Sequence, residues 1–241
     1  MEKEAFKKIL KEKVSKLNIV LSDEQLEKFY LYKEMIKSWN QKVNLTTIVE
    51  DKEIIDKHFI DSLSISHLIK ENISIIDIGT GAGFPGIPLQ ILNQNHSIVL
   101  FDSLQKRLTI LDEMIKQLNL NNIHTLHGRA EETFQKDAYR EKFDIATSRA
   151  VAELNVLVEY MLPAVKVNGY CICMKGNHEL EKEIQKAKKA IFVLGGKIEK
   201  IEKVILPETN IERNIIIIKK VKNTPNRYPR KPGTPKKEPI S

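Results

Sequence analysis

The stretch "DIGTGAGFPG", Asp77 to Gly86, combines an acid with a run of glycines, the residue types that meet a nucleotide-like ligand. An apolar run ends at Asp77 and Ile78, four glycines follow (Gly79, Gly81, Gly83 and Gly86), and a helix-like apolar run begins around Pro85 and Pro88. Strand, glycine loop and helix suit such a ligand because glycine lets the backbone approach it closely. Two frames overlap. Gly81-Ala-Gly83-Phe-Pro-Gly86 is a G-x-G-x-x-G, and Asp102, twenty-one positions after Gly81, completes a dinucleotide fingerprint. Asp77-Ile-Gly79-Thr-Gly81-Ala-Gly83 instead places an acid at the strand end. A pyrophosphate wants bare amides at a helix N-terminus. Asp77 would repel it, but would support a ligand carrying positive charge. Asp102 ends "SIVLFD", where a carboxylate accepts from ribose hydroxyls in either case.

Other residues have more than one use. Arg149, in "SRAVA", could donate two bonds to a nucleobase edge or bind phosphate; the alternative is a surface ion pair. His58 and Asp61, in "HFIDS", share one helical face and could meet RNA or pack internally. Asn44 and Thr46, in "NLTT", are substrate contacts or turn residues. Arg107 could bind phosphate or be solvated, and Lys175, in "GYCICMKG", is counted with the RNA contacts. His124 and His127 face opposite ways on a predicted strand. Cys171 and Cys173 share one strand face, too few for zinc and badly placed to pair. No metal is expected, and the cysteines indicate a reduced, cytoplasmic protein.

The elements that must carry these residues are legible as periodicity. Phe6, Ile9, Leu10, Val14 and Leu17 mark a helix over 3–17, and "SDEQ" from Ser22 is a capping box opening a second. Helical spacing returns over 51–70, so residues 1–70 form a helical extension. From Ile73 the chain alternates short apolar runs ("ISIIDIG", "SIVLFD", "NIHTLHG", "FDIATSR", "GYCICMKG") with helical patterns. That is a mostly parallel α/β sheet flanked by helices. "KIEKIEKVIL" and "RNIIIIKK" are separated by too short a loop for a crossover, so the sheet closes with an antiparallel hairpin. Seven strands with the last reversed is not the dinucleotide layout, and it favours the Asp77 frame.

No stretch among the 241 residues approaches the roughly 20 apolar residues a membrane span needs, and the N-terminus is too charged for a signal peptide. The net charge of +7 is unevenly placed. From Lys219 onward eight basic residues, Arg227, Arg230 and Lys231 among them, face one acid, and five of the nine prolines lie there. Residues 222–241 are therefore expected to be an extended tail without a core, either binding a polyanion or merely solubilising. On that reading the tail serves RNA and stands apart from the cofactor site.

The Asp77 frame resembles motif I of the class I methyltransferases, which bind S-adenosylmethionine. "DIGTGAGFPGIPL" together with "SRAVAEL", "NLTT" and "HFIDSL" resembles the bacterial glucose-inhibited division protein B family, from about Trp39 to the tail. The resemblance implies a Rossmann-like, seven-stranded methyltransferase domain over 71–221. It further implies methyl transfer from S-adenosyl-L-methionine to guanine N7 in 16S ribosomal RNA, by in-line displacement without a general base. The expected partner is that RNA or the assembling small subunit, and the expected state a monomer. Matched onto this chain, Asp77, Gly79, Thr80, Gly81, Gly83 and Phe84 would line the cofactor, Asp102 and Ser103 would meet its ribose, and Ala130 and Glu131 its adenine. Arg149 would sit at the mouth of the site as cofactor and positioning residue.

Overall fold

The computed structural model describes residues 1–149, 151–176 and 179–240. The chain opens with α1 (Lys3–Ser15) and α2 (Asp23–Asn40). α1 buries Phe6, Leu10 and Val14, one residue per turn on one face. α2 begins with the expected capping box: Ser22 Oγ accepts from the Gln25 N–H, and Gln25 Oε1 accepts from the Ser22 N–H. The third helical segment is not uniform. It runs as α3 (Asp51–Ile54), a π-helical turn (Ile55–Ile60) and α4 (Asp61–Leu63).

Seven strands follow: β1 (Ser74–Ile78), β2 (Ser97–Asp102), β3 (Ile123–His127), β4 (Phe143–Arg149), β5 (Val165–Lys175), β6 (Gly196–Ile205) and β7 (Glu212–Lys220). Their order is β3-β2-β1-β4-β5-β7-β6. β1 to β5 pair in parallel, and β7 runs antiparallel to both β5 and β6. The reversed last strand and the closing hairpin are thus as expected, with β7 inserted between its neighbours. Its run Ile215–Ile218 is buried, as a central strand requires. β6, at the edge, turns lysines and glutamates outward, which discourages further strand pairing. Between strands lie α5 (Gly86–Leu92), α6 (Gln105–Gln117), α7 (Ala130–Thr133), α8 (Leu154–Met161) and α9 (Leu180–Val193).

One core joins the N-terminal helices, α5 and α6 to one sheet face; a second lies under α8 and α9. Cys171 and Cys173 are buried, unpaired, in the second, where burial pushes the Cys173 thiol up to about 12. The N-terminal helices are bound to the sheet by aromatic rings. Phe59 lies 5.1 Å from Phe29 and 5.6 Å from Tyr32, and Tyr32 lies 5.4 Å from Phe84 of the glycine loop. Tyr32 also donates its hydroxyl to the Ala82 carbonyl at 2.6 Å. α2 therefore holds the glycine loop from below.

The C-terminal segment departs from the expected extended tail. Thr224, Tyr228 and Pro235 are buried, and residues Thr234–Lys237 form a short α10. Arg140 donates to the carbonyls of Thr224 and Tyr228, both at 2.7 Å. Arg230 pairs with Glu159, a carboxylate 1% exposed on α8. A buried charge needs a partner. Composition predicted an extended tail without a core because it counts charges without their long-range partners.

Tyr32→Phe keeps the ring packing but strips the Ala82 carbonyl of its donor. A loss of about 1–3 kcal/mol is expected, measured by urea denaturation with an unchanged m-value.

Candidate active site

The glycine loop connects β1 to α5. Gly79, Gly81 and Gly83 all have positive φ, at +71°, +61° and +98°, which only glycine adopts freely. Gly86 has another reason: a Cβ there would stand 2.3 Å from Leu100 Cδ2. It is a helix-packing residue at the first position of α5, and the Gly79–Gly83 frame is the loop itself. Asp77 is fully buried. Its Oδ2 accepts from Thr80 Oγ1 at 2.7 Å and from the Gly86 N–H at 2.9 Å, so Asp77 and Thr80 brace the loop. Its Oδ1 is buried with no hydrogen-bond partner, and burial pushes the carboxyl up to about 6.

Above the loop, at the carboxyl ends of β1, β2 and β3, lies a cavity of about 240 Å³. Gly79, Asp102, Ser103, Ala130 and Glu131 line it, as expected from the sequence. Asp102 is oriented by accepting from the Leu104 N–H at 2.9 Å through Oδ1 and the Gly81 N–H at 3.1 Å through Oδ2. Arg107 stands 3.7 Å from the same carboxylate. Ile78 and Phe101 give apolar walls, and Val151 and Tyr160 close the rim. The sequence reading missed Val151 and Tyr160, because nothing local shows that the loop after β4 and the middle of α8 face this cavity.

Asp77, Thr80, Gly81, Gly83, Phe84 and Arg149 do not line the cavity. Phe84 and Arg149 belong to a cluster beside the loop. Phe84 is buried, stacked on His58 with centroids 4.2 Å apart. The Arg149 guanidinium lies over the same ring, 4.9 Å from its centroid. It donates to the Lys57 carbonyl at 2.6 Å and to Asp61 Oδ2 at 3.2 Å, and meets His58 Nδ1 at 3.0 Å. A guanidinium only donates, so Nδ1 must accept and His58 must be neutral with its proton on Nε2. That nitrogen faces Thr46 Oγ1 at 3.0 Å. Burial, and then the Arg149 charge, lower the His58 pKa to about 3. Asp61 Oδ1 accepts from Arg213 Nε at 3.0 Å, so one carboxylate joins β4, β7 and the π-turn. The π-turn is the local feature that periodicity missed.

The expected RNA contacts divide in the same way. Asn44, Arg107, Arg227 and Lys231 are accessible. Thr46 and His58 belong to the Arg149 cluster, Lys175 pairs with Glu183 at 2.6 Å, and Arg230 is committed to Glu159.

The docked C-terminal segment reaches the cavity. The Gly233 N–H donates to Glu131 Oε1 at 3.1 Å, and Gln135 Nε2 donates to the Pro229 carbonyl at 2.7 Å. The segment is therefore a support of the cavity wall, contrary to the expectation that it stands apart.

A parallel sheet closed by a reversed strand, a glycine loop after β1 and an acid ending β2 define a class I S-adenosylmethionine-dependent methyltransferase. Solved structures share that fold: a SAM-dependent methyltransferase from Aquifex aeolicus (TM-score 0.53, 14% identity, covering 76% of this chain and 97% of that one) and precorrin-6y C5,15-methyltransferase from Geobacter metallireducens (TM-score 0.50, 16% identity, 74% and 91%). The family described as rRNA small subunit methyltransferase G matches residues 25–219, and the chain belongs to it. It is the family to which the motifs pointed. Relatives named ribosomal RNA small subunit methyltransferase G include those of Acetivibrio thermocellus, 52% identical over 98% of this chain and 97% of that protein, and Clostridium novyi, 49% identical over 98% and 97%.

Arg230→Met strands the Glu159 carboxylate in the interior. The expected cost is on the order of 3 kcal/mol, read by thermal and urea unfolding. Removing residues 231–241, which keeps Arg230, is expected to weaken S-adenosylhomocysteine binding several-fold by calorimetry, through the loss of the Gly233 bond to Glu131.

Proposed function

We propose that this protein methylates N7 of a guanosine in 16S ribosomal RNA, using S-adenosylmethionine. The observation that carries the reading is the cavity at the strand ends, with Asp102 inside it and the glycine loop below, in a chain of this family. The residues present fit the cofactor. Asp102 is placed for ribose hydroxyls, Ile78, Phe101 and Ala130 offer apolar surface to adenine, and Glu131 offers an acceptor beside it. Asp77 Oδ1 leaves negative charge unanswered beneath the loop, which favours a cationic methionine arm above.

When bound, S-adenosylmethionine supplies an electrophilic methyl on a sulfonium. Guanine N7 is a lone-pair acceptor without a proton, so no side chain has to act as a base. The protein's work is to orient and to exclude water. Arg149 acts here as a positioning residue: it fixes the end of β4 to the π-turn, and with it the loop that carries Val151. Asn44, Arg107, Arg227 and Lys231 are the accessible donors for RNA. Thr46, His58 and Arg230 serve through the parts they hold, and Lys175 lines a neighbouring cavity. The substrate is 16S RNA or the assembling subunit, and the protein acts as a cytoplasmic monomer. Among the described residues no helix is long and apolar enough to cross a membrane.

Mass analysis of 16S RNA from cells with and without the active protein is expected to show one N7-methylguanosine lost; an unchanged nucleoside content refutes the assignment. Arg149→Ala is expected to cut methyl transfer by at least about 10-fold through lost positioning, with cofactor affinity changing far less. The Asp77 carboxyl, raised to about 6, contributes stability that is fully present below its ordinary value of 3.8 and lost as pH rises through about 6. A bound cation favours its ionised form. Affinity for S-adenosylmethionine should therefore rise between pH 5 and 7 and level off above. In Asp77→Asn that step should vanish, as followed by titration calorimetry.

A further inference from the structure

A second cavity, of about 380 Å³, lies beside the first between the loop after β4 and the start of α9. The two share one residue, Val151. Val151 leans over the glycine loop: a Cβ on Gly79 would stand 2.4 Å from its Cγ2. Val151, 40% exposed, lines both cavities.

The second cavity is built around Lys175 and Glu183, whose side chains are 10% and 19% exposed. Glu183 Oε1 accepts both from Lys175 Nζ at 2.6 Å and from the Leu154 N–H at 2.7 Å. Lys175 Nζ donates to that oxygen and to the Ala152 carbonyl. An ammonium has three hydrogens and a carboxylate two oxygens. Among the described residues, one Nζ hydrogen and Glu183 Oε2 of this ion pair have no partner, and both residues line the cavity. A donor next to an acceptor complements the Watson–Crick edge of guanine, where O6 accepts and N1–H and N2–H₂ donate; uracil shares the acceptor–donor pair at O4 and N3–H but lacks the exocyclic amine that gives the carboxylate its second donor. Adenine presents a donor where guanine has O6 and an acceptor at N1, so it would set like against like.

We infer that this cavity holds the target guanine by its Watson–Crick edge, with Lys175 donating to O6 and Glu183 Oε2 accepting from the N1–H and N2–H₂ side. The inference rests on the guanine-N7 reading above. It meets a requirement of that chemistry: an enzyme that methylates N7 must recognise guanine without occupying N7. Gripping the opposite edge leaves N7 free to face Val151 and the cofactor cavity beyond. Lys182 and Lys186, on the same wall, are placed for the flanking phosphates.

The test uses the full chain and 16S RNA carrying either guanosine or, by splinted ligation, inosine at the target position. Inosine lacks only the 2-amino group and keeps N7. The wild-type protein is expected to prefer guanosine by roughly 10- to 100-fold in kcat/KM, the range for a lost paired base contact. In Glu183→Gln that preference should collapse toward unity, and Lys175→Met should lower kcat/KM on both substrates by at least about 10-fold. S-adenosylhomocysteine affinity should hold in both variants, which separates recognition from folding. A guanosine-to-inosine ratio unchanged in Glu183→Gln, with wild-type protein active, overturns the pocket alone. No methyl transfer to guanosine N7 by wild-type protein overturns both the pocket and the function beneath it.

Discussion

The Arg149 guanidinium is the charge around which the molecule is arranged. It sits 17% exposed at the end of β4, so its donors must be satisfied by protein. The π-turn and the first residue of α4 do this with the Lys57 carbonyl, the His58 imidazole and the Asp61 carboxylate. π-helical turns of this kind concentrate at functional sites. Because Arg149 donates to His58, the imidazole stays neutral and can stack on Phe84. Because Asp61 also takes Arg213, the start of β7 is held to the same point. The N-terminal helices are thereby fixed against the edge of the sheet where the ligand cavities open.

The aromatic cluster does complementary work from the other side. Tyr32 bonds the glycine loop through Ala82 and packs on Phe84, so a loop of three positive-φ glycines is held by a helix nearly fifty residues earlier in the chain. This explains the phenylalanine in "GAGFPG". Its side chain is buried against Tyr32 and His58 and anchors the loop.

The sheet was legible in the sequence because strand runs and helical spacing are local patterns. The capping box at Ser22 and the closing hairpin were legible for the same reason. The glycine frame was legible through charge: an acid just before the loop excludes pyrophosphate whatever the glycine count. Long-range pairings were not legible. Residues 222–241 looked solvated by composition, yet Arg230 belongs to Glu159, seventy-one residues away. A signal did exist, the single acid in the apolar run "VLVEYML", which needs a cation from elsewhere. The pairing of Arg149 with His58 and Asp61 was not legible, because strand-end position says nothing of which way a long side chain turns.

Val151 belongs to both cavities, and this gives the molecule a thermodynamic property. Any group that enters one cavity and displaces Val151 also remodels the wall of the other. Occupancy of the two cavities is then coupled, and by linkage the factor by which either ligand alters the affinity of the other is the same in both directions. On the reading proposed above, cofactor and base would communicate through one isopropyl group, with no domain movement required.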